Sequence, residues 1–375
     1  VTTQVTQPRL EAVPKGSVPG AADPLEPYVP RLVVDWLRDT PDATVSEVEG
    51  SLAFVDISGF TTLTERLARR GKVGAEEMSD LLNLTFARLL EVAYLDGAGL
   101  VKWGGDAVLL LFEGPDHAAR ACRAAHRMRE RMRRSGKLDT SAGRVVLRMS
   151  VGIHSGTFHF FLVGDPLVHR ELLISGPAAS RCAELEALAD AGEIAISGET
   201  AALVPPAVVG PAKGDGRLLA GRPRLDDLVI LPRPTTQGLD IRSTLPVAMR
   251  EHLEQAAGEA EHRQIAVAFV QFSGTDALLT SRGPQALAEA LDEAVRNVQE
   301  ATSHHEVTFF ETDINRDGGK IMLTAGAPRS TGHDDERMLR AVRRIADRVG
   351  VLPLRIGVNR GPVFAGDFGP PFRRT

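Results

Sequence analysis

At 375 residues the chain exceeds one ordinary domain, and two hydrophobic cores are expected. Hydrophobic residues make up 43%, charged residues 25% and the net charge is −5. That balance describes an ordinary globular protein without the basic excess a nucleic-acid backbone would attract, so no nucleic acid is expected as a partner.

Two cysteines, Cys122 and Cys182, lie in apolar, helix-patterned segments outside any CxxC or Cys/His cluster; they read as core packing. The longest strongly apolar run, residues 107–112, is too short to cross a bilayer, and the N-terminus lacks a charged region followed by an apolar core. A cytoplasmic protein without a membrane partner is expected.

Residues 1–31 begin with an aperiodic stretch rich in Pro, Gly, Thr and Val and read as a flexible segment. Residues 32–204 read as a first domain. Within it, residues 52–55 form a short apolar strand, followed by a helix over 63–69. Met78, Leu82, Phe86, Leu89 and Ala93 keep helical spacing. Strands at 100–102 and 107–112 flank Gly104-Gly105, which suits a β-hairpin. Ala118, Ala121, Cys122, Ala125, Met128 and Met132 make a second helical stripe, and the Arg-rich stretch 127–134 reads as its solvated face. The order βαββαβ predicts an α+β, ferredoxin-like core with helices on one face of an antiparallel sheet. Residues 205–260, with many Pro, Gly and Arg, read as a linker, and 261–375 as a second domain. His304-His305-Glu306 read as strand neighbours pointing to opposite faces, which argues against a metal site there.

The second domain repeats the first. AFVDISG at 53–59 recurs as AFVQFSG at 268–274. GGD at 104–106 before AVLL recurs as GGK at 318–320 before IMLT, and SVGIHSG at 150–156 recurs as RIGVNRG at 355–361.

Asp56 ends an apolar strand and Asp106 starts the second hairpin strand, positions that βαββ topology brings side by side. Two carboxylates a few Å apart repel unless divalent cations fill the gap, so the pair argues for metal. Mg²⁺ suits one or two carboxylates, a carbonyl, waters and substrate phosphates. The following Ile57-Ser58-Gly59-Phe60-Thr61 is a strand-to-helix turn whose free amides suit a phosphate. An ordinary Ser/Thr helix cap is the competing reading of that turn.

FVDISGFTTLTE at 54–65 and VKWGGDAVLLLF at 101–112 resemble the two metal-binding segments of class III adenylyl and guanylyl cyclases, and SVGIHSG at 150–156 is similar to that family's following strand. The resemblance covers about residues 50–200 and, more weakly, 264–375. It implies two cyclase-type domains paired head to tail as a pseudo-heterodimer, with one composite site between them. Asp56, Asp106 and the carbonyl of Ile57 would bind two Mg²⁺ ions, with Mn²⁺ able to substitute, and Ser58, Gly59, Phe60 and Thr61 would hold the phosphates. The 3′-hydroxyl of ATP, favoured over GTP, would attack the α-phosphate, giving 3′,5′-cyclic AMP and pyrophosphate.

Gln271 and Lys320 stand where the first repeat has Asp56 and Asp106, so the resemblance implies a metal-deficient second domain. The family's transition-state Asn and Arg correspond to Ser180 and Glu184 in the first repeat. Matching Gly164 to Gly369 ends the second repeat opposite Arg170, so that domain reads as incomplete at its C-terminus and the chain as a fragment with weak or no activity of its own. Arg316 corresponds to the family's purine-binding Lys. Thr157 replaces a phosphate-binding Arg, leaving Arg148 as a substitute. The tandem arrangement also resembles the bicarbonate-responsive soluble cyclases, which implies an anion pocket at Lys102 and Arg181; the competing reading is that Lys102 pairs with a nearby carboxylate. A non-catalytic nucleotide-sensing module is the alternative function. A diguanylate cyclase, suggested by Gly104-Gly105-Asp106, is disfavoured because Ala107-Val108 replaces its acidic-aromatic pair.

Overall fold

The computed structural model describes residues 23–227, 229–232, 234–255 and 261–375. Most of the segment expected to be flexible, residues 1–22, lies outside the described residues. Order begins before residue 32: Leu25 is fully buried and helix α1 spans Arg31–Asp39.

The first unit continues with β1 (Val45–Ser58), α2 (Phe60–Ala68), α3 (Lys72–Tyr94), β2 (Gly99–Gly104), β3 (Ala107–Glu113) and α4 (His117–Ser135). A small hairpin, β4 (Lys137–Thr140) and β5 (Gly143–Val146), leads into β6 (Arg148–Val163), β7 (Glu171–Ser175) and α5 (Pro177–Leu188). Then come β8 (Ile194–Ile196), α6 (Gly198–Ala202), β9 (Val209–Lys213) and β10 (Gly216–Leu219). The main sheet runs β2-β3-β1-β6-β8-β10-β9, with β7 also paired to β6. Since β9 and β10 complete this sheet, the first unit reaches past 204 into the segment expected to be linker.

The run 107–112 is apolar on both sides because both faces of the sheet are covered. Val108, Leu110 and Phe112 join Ala53, Val55 and Ile57 in the core beneath α2–α4. Leu109 and Leu111 join Leu52, residues of α1 and Cys182 of α5 in a second core on the opposite face. Helices on one face only was the expectation; α1 and α5 cover the other. Both cysteines are fully buried, and burial pushes their thiols up to about 12.

The second unit follows α7 (Val247–Glu254) with β11 (Glu261–Ser273), α8 (Thr275–His304), β12 (Thr308–Asn315), β13 (Gly318–Ala325), α9 (Asp334–Ala346) and β14 (Leu354–Ala365). Helix α8 is broken at Gly283, where a positive φ of 82° precedes Pro284. Its sheet order, β12-β13-β11-β14, repeats β2-β3-β1-β6, and the βαββαβ core is thus present twice. His304 ends α8 and His305 is its C-cap, so the pair closes a helix and does not lie in a strand.

The units dock reciprocally. After β6, the Gly164 and Asp165 amides donate to Asp292 and Gln299 of α8, both at 2.8 Å. After β14, the Gly369 amide donates to Asn83 of α3 at 2.8 Å. Phe368 meets Phe86 and Trp103 edge-on, with centroids 5.4 and 5.0 Å apart. Matched strand registers, Asp56 opposite Ser150 and Gln271 opposite Arg355, make Gly164 and Gly369 equivalent. The same segment of each unit therefore grips the long helix of the other.

Candidate active site

In β1, Ala53, Val55 and Ile57 point into the core beneath α2–α4, so the period of two turns Asp56 to the α5 face. Antiparallel pairing sets Asp56 opposite Ala107, next to Asp106, and the Ile57 amide donates to the Asp106 carbonyl at 3.1 Å. Burial and the charges of Asp106 and Glu186 push the Asp56 carboxyl up from 3.8 to about 7. Burial likewise raises Glu186, with a further contribution from Asp106 against a hydrogen bond from Ser150 at 2.9 Å. Among the described residues no basic side chain pairs with Asp56 or Asp106, and no group of three or more His, Cys, Asp or Glu is arranged to chelate a metal. The structure therefore brings together two of the expected acids and adds Glu186, which the sequence reading missed because nothing local distinguishes it from other helical glutamates.

The turn after β1 places Gly59 in the left-handed region (φ 100°), at the N-terminus of the nine-residue α2. No side chain among the described residues accepts a hydrogen bond from the Gly59 or Phe60 amide. Phe60 is buried; the side chain of Thr61 lies outside the described residues. Ser58 pairs with Arg148 across β1–β6, which puts exposed Arg148 beside the turn, whereas Thr157 pairs with Glu49, far up the strand.

The second unit shows what such a turn does with an anion. Gly274 has nearly the same conformation (φ 89°), and the Gly274 and Asp276 amides donate to the carboxylate of Asp317 at 3.2 and 3.0 Å. Asp317 in turn donates its amide to Ser180 of α5 at 2.7 Å. The second turn is thus filled by a carboxylate of its own hairpin.

Three sequence equivalences shift in the structure. Gln271 pairs with Lys320, while Asp56 pairs with Ala107, so Lys320 matches Ala107 and not Asp106. The β12–β13 turn at Arg316-Asp317 lies two residues further out on each strand than the Gly105-Asp106 turn. That extension carries Arg316 to an exposed tip, paired with Glu184 at 2.9 Å. The equivalent of Lys102, opposite Leu109 in β3, is Glu311, opposite Met322 in β13. Burial first, with Asp313 and Glu171, holds Glu311 at about 7 against the pull of Lys102.

The expected anion pocket has no free cation. Lys102 pairs with Glu171 at 2.6 Å and donates to Thr312 at 2.7 Å. Arg181 pairs with Asp215 at 2.5 Å and Glu184 at 3.5 Å. The Arg-rich helix is only partly a solvated face: Arg127 pairs with buried Asp96 at 3.1 Å, and Arg129 is buried.

The family model described as the adenylate and guanylate cyclase catalytic domain matches residues 45–211. Adenylate cyclase type 10 of Rattus norvegicus is 34% identical over 90 residues, covering 23% of this chain and 6% of the relative. The Homo sapiens protein of the same name is 25% identical over 180 residues, 45% of this chain and 11% of the relative. The chain therefore spans only a small part of these relatives' length. A solved class III adenylyl cyclase-like ATP-binding protein from Pseudomonas aeruginosa superposes with a TM-score of 0.56 at 13% identity, over 92% of this chain and 85% of that one. That likeness, in fold alone, extends over both units. No helix among the described residues is long and apolar enough to cross a membrane.

Proposed function

Residues 45–211 belong to the adenylate and guanylate cyclase catalytic-domain family, and from that premise we propose that the chain is an adenylate cyclase that turns ATP into 3′,5′-cyclic AMP and pyrophosphate. The two units act as a pseudo-heterodimer in which only the first binds metal. One observation carries the reading: Asp56 is held near 7 by burial and by two neighbouring carboxylates, with no basic side chain among the described residues paired to it or to Asp106. Such a cluster of hard oxygen donors fits Mg²⁺ or Mn²⁺.

Asp56 and Asp106 would hold the cations, with the Ile57 carbonyl beside them. Bound there, divalent metal supplies neutralising charge to the triphosphate and lowers the pKa of the attacking hydroxyl. The Gly59 and Phe60 amides, without side-chain acceptors among the described residues, would receive the phosphates at the positive end of α2. The Asp317 carboxylate on the Gly274 and Asp276 amides, the counterparts of Gly59 and Thr61, supports an anion at this kind of turn and leaves the second turn closed to a nucleotide.

A second reading, nucleotide binding without turnover, is favoured by the overall likeness to a cyclase-like protein described as ATP-binding. Cyclic nucleotide formation from ATP and from GTP, with Mg²⁺ or Mn²⁺, separates the two. Metal-dependent product that disappears in Asp56→Ala and in Asp106→Ala supports catalysis at this site. Nucleotide binding without product supports the second reading, and product unaffected by either substitution refutes the metal assignment.

A further inference from the structure

On the α4 side of the first sheet a groove of about 510 Å³ is lined by Arg129, Met132, Arg133, Lys137, Leu147, Arg148, Met149 and the 191–193 loop. Its α4 part, with Arg129, Met132, Arg133 and Lys137, lies on the core side of the sheet, whereas Asp56 looks toward α5; Arg148, opposite Ser58, borders the groove from the turn after β1 and is counted with that site. Most arginines of the chain are tied to a carboxylate or a carbonyl. The side chains of Arg129, Arg133 and Lys137 in this groove are exceptions; none of the three has a hydrogen-bond or ion-pair partner among the described residues. Arg133, Lys137 and Arg148 are exposed and can reach water. Arg129 is 9% exposed, its Nε is buried without an acceptor, and it is crowded by Arg133.

A buried guanidinium nitrogen without an acceptor, here the Arg129 Nε, loses its hydration and gains nothing, which marks a place where an anion belongs. Two acids lie near. Glu193 is bonded to Lys213 and to the Asp190 amide, and Glu130 of α4 faces His126 at 3.8 Å. Neither bonds Arg129. The thioether and aliphatic floor of Met132, Leu147 and Met149 offers an apolar surface below the charges.

We propose that this groove is a binding site for a multivalent phosphate anion, held by Arg129, Arg133 and Lys137. Planar guanidinium forks match phosphate oxygens in pairs, and Lys137 adds a point charge at the mouth. The anion comes either from a free phosphorylated small molecule or from a phosphorylated lipid headgroup, which share this chemistry.

The test is calorimetric titration of the full chain with inorganic pyrophosphate in EDTA, so that no cation at Asp56 contributes, alongside sedimentation with phosphatidylcholine vesicles with and without phosphatidylinositol phosphate. Saturable binding of either probe is expected, at least tenfold weaker in Lys137→Glu, an exposed substitution, and in Arg129→Gln, and retained in Asp106→Ala. Pyrophosphate binding identifies a free anion, and sedimentation only with the phosphorylated lipid identifies a headgroup. Absence of binding to both probes, or Lys137→Glu binding as tightly as wild type, overturns the site. Because Asp106→Ala is expected to keep this binding, failure of the cyclase proposal and failure of the groove are read separately.

Discussion

Replacing Asp56 with Asn should stabilise the metal-free protein, the opposite of what most substitutions at a half-buried polar position do. The carboxyl titrates at about 7 in the folded chain, against an ordinary 3.8. Its ionised form at pH 8 therefore costs the fold at most about 4 kcal/mol. The group is partly exposed and screened by water, so about 2 kcal/mol is the expected gain for Asp56→Asn. The sign follows from proton counting. Below about pH 4 both folded and unfolded chains keep the proton, and the two proteins should be equally stable. As pH rises from about 4 to about 7 the unfolded chain releases its proton first and wild type loses stability; above that the gap is constant.

Urea unfolding in EDTA at pH 4 and pH 8, followed by circular dichroism, measures both ends. Added Mg²⁺ should reverse the order, stabilising wild type by about 2.7 kcal/mol at a hundredfold excess over Kd and Asp56→Asn by much less. Equal stability of the two proteins at pH 8 without metal, or a gap independent of pH, would refute the account of Asp56 as an uncompensated acid.

Lys102→Met should cost about 3–5 kcal/mol, because it strands Glu171 where 8% of the side chain is exposed, while adding Glu171→Gln should recover much of the loss; a double-mutant cycle in urea checks this. Burial would raise Glu171, but Lys102 and His169 bring it down to about 2, so the stabilisation is complete above about pH 4.5 and fades only as pH falls through about 2. Asp317→Ala removes the acceptor of the Gly274 and Asp276 amides and should lower stability by about 1–2 kcal/mol, read as a shifted urea midpoint at unchanged slope.

Much of the first site was legible because it depends on local signals. The period of two in residues 52–57 fixes which face Asp56 takes, Gly104-Gly105 marks the hairpin that carries Asp106, and Gly59 marks the turn into α2. The repeat was equally visible, since two copies of one pattern declare themselves without any knowledge of contacts. Glu186 was not visible: it joins the acids only because α5 packs across β1 and β6.

Arg316 was misassigned because glycine pairs near a turn do not fix strand register; cross-strand pairing does, and it makes the second hairpin longer. Whether Lys102 and Arg181 hold an anion or, as the competing reading had it for Lys102, pair with a carboxylate could not be decided from the chain, because their carboxylates arrive from positions 171 and 215. By itself, then, the sequence determined the two βαββαβ units, the facing of Asp56 and the glycine turn, all written in short-range periodicity and backbone preference. Tertiary structure alone decided which charges are compensated, because the partner of a charge is set by chain segments far away in sequence.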